Sequence, residues 1–273
     1  MEKHTFIMIR YSILSKTSSW SLNKESDFEE YKEKLFSESR LKKREELFRE
    51  VTYPSIVSLP KNNVTVLIFV SEEMPEFHYQ RLEALISSES NFYLVRLNYS
   101  DNINSQMNKE VKQRLKKIKQ DVVYATVRLD DDDALSKNYY TLLDKYLEKD
   151  FSGYCVSFSY GAAAIVNNGI LNEFYLRKKP KIAIGIAWVN RFYHESGELQ
   201  YKEVSIYSLG NHMKVEEKYP TIIDPREYAW IRTVHDQSDL YDKDMPDKYR
   251  KTQKTDKDFL SKYFNFSKVA CDE

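Results

Sequence analysis

Val122-Val123-Tyr124-Ala125-Thr126-Val127-Arg128-Leu129-Asp130-Asp131-Asp132-Asp133 runs from an unbroken apolar strand straight into four consecutive carboxylates. A strand this apolar and β-branched is expected to be covered on both faces, as in a parallel sheet. Open α/β sheets bind ligands in the crevice outside the carboxyl ends of their strands. The aspartates therefore stand where a ligand site belongs. Four adjacent anions repel one another, so solvent, helix-cap hydrogen bonds or a cation must hold them together.

Three earlier runs have the same character: Phe6–Ile9, Val64–Val70 and Phe92–Leu97. Helical patterns separate them, over Asp27–Val51, Phe77–Ser87 and Ser105–Lys119. Strand and helix in alternation predict an α/β fold with a Rossmann-like, mixed but mainly parallel sheet flanked by helices. After Asp133 a helix over Ser136–Leu147 is expected, with Ser136 as its N-cap. The β-rich pieces Tyr154–Tyr160, Ala162–Val166, Ile182–Val189 and Glu203–Ser208 then read as hairpins on the end of the same sheet. Residues 1–240 form one domain in this reading, and 241–273 a polar, aromatic extension that either docks or binds a partner.

Composition narrows the function. Lys plus Arg and Asp plus Glu number 42 each, so a global polyanion binder is disfavoured and no nucleic-acid partner is expected. The two cysteines, Cys155 and Cys271, make neither a disulfide framework nor a thiolate zinc site, which fits a reducing compartment. No apolar run reaches membrane-spanning length, so a cytoplasmic protein with at most peripheral contact at the inner membrane is expected. The six glycines form neither GxGxxG nor GxxxxGK[ST]. Lys24–Glu50 carries eight basic and nine acidic side chains and reads as the solvated face of an ordinary helix. Lys109–Lys119 has six basic residues and one acidic; it reads as a surface helix, with docking to anionic lipid as the sharper alternative.

Leu129-Asp130-Asp131-Asp132-Asp133 resembles the DxD motif of GT-A glycosyltransferases, and Arg128-Leu129-Asp130-Asp131-Asp132-Asp133-Ala134-Leu135-Ser136 resembles a bacterial rhamnosyltransferase family related to polysaccharide galactosyltransferases. Other segments are similar in the same order. They are Phe6–Ser12 (FIMIRYS), Tyr53–Ile56 followed by Val66–Val70, Asn211-His212, and Trp230–Asp236 (WIRTVHD). The resemblance spans roughly residues 4 to 240. It implies a GT-A-like fold with β-rich hairpins on the acceptor side. It also implies a nucleotide-sugar donor, with UDP-galactose first and dTDP-rhamnose second, and a glycan or lipid-linked glycan acceptor. Capsule or lipopolysaccharide O-antigen assembly is the implied setting.

Carried over by residue, Asp132 would hold Mg²⁺ or Mn²⁺, with Asp130 on the ribose or the metal and Asp133 assisting. His235 would supply a late metal or diphosphate contact. Arg10, Ser12, Arg128, Asp131 and His212 would lie along the nucleotide sugar. Hard oxygen ligands suit either ion. A cation at the leaving diphosphate stabilises the charge that develops there. No catalytic base is assigned; Asp236 is a weak candidate, followed by Glu195 and Glu173, and each reads more simply as a surface carboxylate. Two rivals stay open: a metal-dependent phosphohydrolase, and a non-catalytic metal- or glycan-binding module in which the aspartates only cap a helix.

Overall fold

The computed structural model describes residues 1–15, 28–167, 170–236 and 245–266. Asp27, where the first helical pattern begins, and Cys271 lie outside the described residues, as do 241–244 and 267–273 of the extension.

In chain order the first half is β1 (Glu2–Tyr11), α1 (Phe28–Leu35), α2 (Glu38–Leu47), α3 (Tyr53–Ile56), β2 (Val64–Ser71), α4 (Glu76–Ile86), β3 (Phe92–Leu97), α5 (Ile103–Leu115) and β4 (Val122–Asp130). The four strands are parallel in the order β3-β2-β1-β4. Side chains of β1 alternate between two cores, as the two-residue period of a strand requires. Ile7, Ile9 and Tyr11 join one, and Phe6 and Met8 the other. Covering helices thus bury both faces, and the α/β expectation holds. The single helix expected over Asp27–Val51 is divided: α1 ends at Leu35, α2 follows, and a π-helical turn (Phe48–Thr52) leads into α3. Such widened π-helical turns recur at functional sites.

The second half adds β5 (Ala134–Leu135), α6 (Tyr139–Asp144), β6 (Cys155–Asn167), β7 (Ile170–Lys178), β8 (Ala187–Tyr193), β9 (Glu198–Leu199), β10 (Thr221–Val234), α7 (Met245–Arg250) and α8 (Lys257–Tyr263). β8 pairs antiparallel with β4 and carries the sheet on through β6, β10 and β5. Several expectations are corrected here. Ser136 does not cap the helix: its amide bonds to the Ala229 carbonyl, its hydroxyl donates to Asn138, and Asn138 stands at the N-cap of α6. β6 is continuous through Gly161, where the strand break was expected. A Cβ there would stand 2.2 Å from the Trp230 ring, so only glycine lets the indole lie across the strand. Ile182–Ile186 is no strand; the chain turns at Gly185 (φ +69°), whose amide bonds to the Arg128 carbonyl. Glu203–Ser208 is a loop and 3₁₀ turn held by side chains, with Thr126 Oγ1 accepting from the Ile206 amide.

The described part of the extension packs into the fold. Leu260 and Phe264 are buried together with Leu47, Val51, Ala134 and Ile231. These contacts back the segment that follows the aspartates. Among the described residues no helix is long and apolar enough to cross a membrane.

Candidate functional site

β1 is the strand from which the chain departs in both directions, with β2 on one side and β4 on the other. The crevice outside the carboxyl ends of β1 and β4 is therefore the topological switch point of the parallel half. Arg10 and Asp130 are register partners at that edge. A cavity of about 860 Å³ opens there, lined among others by Arg10, Ser12, Arg44, Arg128, Asp130–Asp133, Tyr207 and His212.

Local folding explains how the aspartates are held. Beyond Asp130 the chain makes a tight turn closed by the Asp133 amide on the Asp130 carbonyl, at 3.3 Å. It then runs as β5 antiparallel to β10, with Ala134 opposite Ile231 and Leu135 opposite Trp230. That pairing carries Thr233 and His235 back beside residues a hundred positions earlier in the chain. The Thr233 amide donates to Asp133 Oδ1 at 2.9 Å. His235 Nε2 donates to Asp132 Oδ2 at 2.9 Å, and both side chains are buried.

The cluster's main internal cation comes from α2. Arg44 Nη1 donates to Asp131 Oδ1 at 2.6 Å and to Asp132 Oδ2 at 2.7 Å, with its side chain 8% exposed. One helical turn earlier, Arg40 Nη1 donates to Ser12 Oγ (3.1 Å) and to the Leu35 carbonyl (3.0 Å). Ser12 sits at φ +47°, a left-handed conformation that costs a non-glycine residue about 1–3 kcal/mol and persists where the surroundings enforce it. Arg40 and the end of β1 enforce it here.

The four carboxylates are not equivalent. Asp130 is the most exposed, with 32% of its side chain accessible, and faces Arg128 (3.4 Å) and Arg10 (3.9 Å). Burial opposes its ionisation, but those two guanidiniums hold its pKa below the usual value. Burial likewise opposes ionisation of Asp132, and Arg44 and His235 outweigh it to hold the pKa down. Asp131 is pushed up to about 7 by burial and by Asp132, against the pull of Arg44. Asp133 is raised well above the ordinary range by burial and by Asp132 and Asp130. Asp131 Oδ2 is buried without a hydrogen-bond partner among the described residues. Burial and the neighbouring carboxylates thus oppose ionisation of Asp131 and Asp133, a penalty that a further cation beside them relieves.

Asp132 and His235 approach one another as a carboxylate–imidazole pair. Among the described residues no group of three His, Cys, Asp or Glu side chains is disposed to hold a metal ion. Two protein ligands, one a carboxylate, still suit Mg²⁺ or Mn²⁺, because such ions complete their shell with substrate phosphates and water. The unpartnered Asp131 oxygen and this donor set fit a divalent ion bound together with a substrate.

Of the remaining expected residues, Arg10 and Arg128 flank the Tyr207 ring, 4.7 and 5.8 Å from its centroid. His212 lines the same cavity, and its Nδ1–H donates to the Lys181 carbonyl at 2.7 Å, leaving Nε2 as an acceptor. Burial lowers its pKa. The weak base candidates stand apart. Asp236 pairs with Lys43 and leaves 58% of its side chain in solvent. Glu173 is bound by Arg250 and Tyr175, and Glu195 lies in an exposed turn. None of the three lines the cavity.

Sequence reading missed Arg40, Arg44 and Tyr207. The two arginines lie in a helix whose mixed charge reads as solvated, yet Arg40, Leu41, Arg44, Glu45 and Leu47 are all buried. Their i, i+4 spacing was the available signal, since it places them on one face.

Comparisons with solved structures return the S. aureus TarS fragment 1–349, at 10% identity and a TM-score of 0.38, covering 84% of this chain and 60% of that one. The same fragment in complex with UDP matches at 12% identity and a TM-score of 0.38, covering 86% and 61%. The chain thus spans about three fifths of the length of these structures. No curated protein matches it. A family model described as "Putative rhamnosyl transferase" matches residues 4–247, and the site lies wholly within that span. The arrangement at the β1–β4 edge therefore lies in a chain that belongs to this rhamnosyl transferase family.

Proposed function

We propose that the chain transfers a hexose from a nucleotide sugar to a glycan acceptor, with the donor's diphosphate seated at the carboxyl ends of β1 and β4. One observation carries this reading: Asp132 and His235, 103 residues apart, meet at 2.9 Å beside the Arg10–Asp130–Arg128 array at the sheet's switch point. UDP-galactose and dTDP-rhamnose are the donors that the family resemblance favours, and capsule or O-antigen assembly, on the cytoplasmic side of the inner membrane, is the setting it suggests.

In the transfer, the bond from the sugar's anomeric carbon to the phosphate oxygen breaks, and an acceptor hydroxyl oxygen bonds to that carbon as it loses its proton. Negative charge then accumulates on the departing diphosphate. Arg10 and Arg128 are the cations placed to neutralise it at the strand ends, in a partly desolvated cavity where such contacts are strong. Asp132 and His235 would hold Mg²⁺ or Mn²⁺, with Asp130 and Asp133 adjacent. The ion would act as a Lewis acid on the leaving phosphate. Tyr207 and Arg40 fix the arginines and the strained Ser12 turn, so that little reorganisation accompanies reaction.

A thermal-shift panel of UDP-, dTDP- and GDP-linked sugars, each with Mn²⁺ and with chelator, tests the reading. One nucleotide class should raise the melting temperature by several degrees with Mn²⁺ only, since a ligand at about 100 times its Kd adds about 2.7 kcal/mol. Release of inorganic phosphate from simple phosphoesters, with no response to any nucleotide sugar, contradicts it.

A further inference from the structure

Six cationic side chains line the cavity (Arg10, Arg40, Arg44, Arg128, Lys179 and Arg232) against four carboxylates, Asp130–Asp133. Four of the six have partners already described: Arg10 and Arg128 on Asp130, Arg44 on Asp131 and Asp132, and Arg40 on Ser12 and the Leu35 carbonyl. Lys179 and Arg232 make no ion pair among the described residues, and they stand on a different wall from the β1–β4 edge. Arg232 is on β10; Lys179 follows β7, its amide bonding to the Ser159 carbonyl at 2.7 Å so that the ladder continues.

Sheet register places these charges together. Trp230 pairs with Gly161 and Arg232 with Ala163 across β10–β6; Gly161 pairs with Arg177 across β6–β7. Alternate residues share a face. Arg232, Arg177 and Lys179 therefore rise from one face, with only glycine and alanine between them on β6. Burial lowers the Lys179 pKa, and Arg232 and Arg177 lower it further; Arg177 has the Tyr249 ring 4.9 Å from its guanidinium and Arg232 feels Asp133, while Lys179 has like charges for neighbours.

On the reading above, the diphosphate diester of a nucleotide sugar carries about two negative charges and is close to neutral once a divalent ion is bound. It leaves the surplus cations of the β10–β7 wall unmatched. We infer that this wall binds an anionic group of the acceptor, so that the acceptor is a glycan bearing phosphodiester or carboxylate groups. This inference rests on the donor reading of the β1–β4 edge. The wall then gives specificity by charge: a neutral glycan leaves Lys179 and Arg232 desolvated and unpaired, and an anionic one satisfies them.

The test is calorimetric binding to the full chain, saturated with UDP and Mn²⁺, of three short probes: a glycerol-phosphate oligomer, trigalacturonate and neutral maltotriose. At least one anionic probe should bind about tenfold or more tightly than maltotriose, with affinity falling as salt rises; which one binds separates phosphodiester from carboxylate. The double variant Lys179→Gln/Arg232→Gln should lose about tenfold or more for that probe while its UDP–Mn²⁺ affinity changes less than about twofold. Arg232→Lys should retain most of the anionic preference, and an unchanged melting temperature of the double variant itself excludes misfolding as the cause of its loss. Equal binding of the neutral probe, binding of no anionic probe, or a loss of UDP affinity matching the loss for the anionic probe overturns the inference. Failure of the wild type to bind UDP strikes the donor reading instead.

Discussion

Two buried acidic centres in this molecule resolve the same problem in opposite ways. Asp224, at the bulge where β10 shifts register against β6, has every acceptor position filled. Arg226 donates from its backbone, Nε and Nη2 at 3.0, 2.9 and 2.6 Å, and Tyr146 donates at 2.8 Å. Its pKa is drawn down to about 2, chiefly by Arg226. At the end of β4, each of the four carboxylates has fewer donors than Asp224. Asp131 is pushed up to about 7 by burial and Asp133 is raised as well, while one Asp131 oxygen has no partner among the described residues. The first centre is finished and serves the fold. The second keeps incompletely partnered carboxyl groups, reluctant to ionise, beside an open cavity, and polar groups held at that cost belong to binding or chemistry.

The contrast is sharpened by four experiments, the largest effect first. Arg44→Met removes the cation bridging Asp131 and Asp132 and should destabilise the metal-free chain by about 3–5 kcal/mol in urea unfolding. Mn²⁺ should recover part of that loss. Asp132→Ala should weaken Mn²⁺-dependent UDP binding by about a hundredfold or more, read by calorimetry on the folded variant, and should also lower the melting temperature in chelator because Arg44 and His235 lose their shared acceptor. Asp224→Asn should cost about 2 kcal/mol in stability and leave the UDP affinity unmoved. The smallest effect concerns His4, at the opposite, amino end of β1. Burial lowers its pKa to about 4, and its Nε2 lies 2.9 Å from Thr65 Oγ1. The unfolded chain therefore binds the proton more readily between about pH 6.5 and 4, so this contribution is complete above pH 6.5 and is lost as pH falls through the window. Between pH 7 and 5 the wild type should lose a little under about 2 kcal/mol more than His4→Asn.

What could be read without coordinates follows from which signals are local. The four parallel strands announce themselves as apolar β-branched runs, and the aspartates mark the edge where the site lies. β10 was missed because Asp224-Pro225-Arg226-Glu227 interrupts its pattern with turn-like residues, which the structure accommodates as a bulge. Asp132 and His235 carried a family resemblance, but nothing local places them in contact; the β5–β10 pairing does that. Arg44 was hidden because the charge composition of α2 is that of a surface helix, and burial of an arginine becomes visible only with its partners. Lys179 and Arg232 were hidden for the same reason, being adjacent only across three strands.

The central claim is that a divalent ion and a nucleoside diphosphate bind together where β1 and β4 end. Calorimetric titration of UDP into the wild-type chain with Mn²⁺ and with chelator measures it directly. The account predicts saturable binding with Mn²⁺ that weakens at least about tenfold with chelator. Equal affinity under both conditions, or no binding under either, contradicts it.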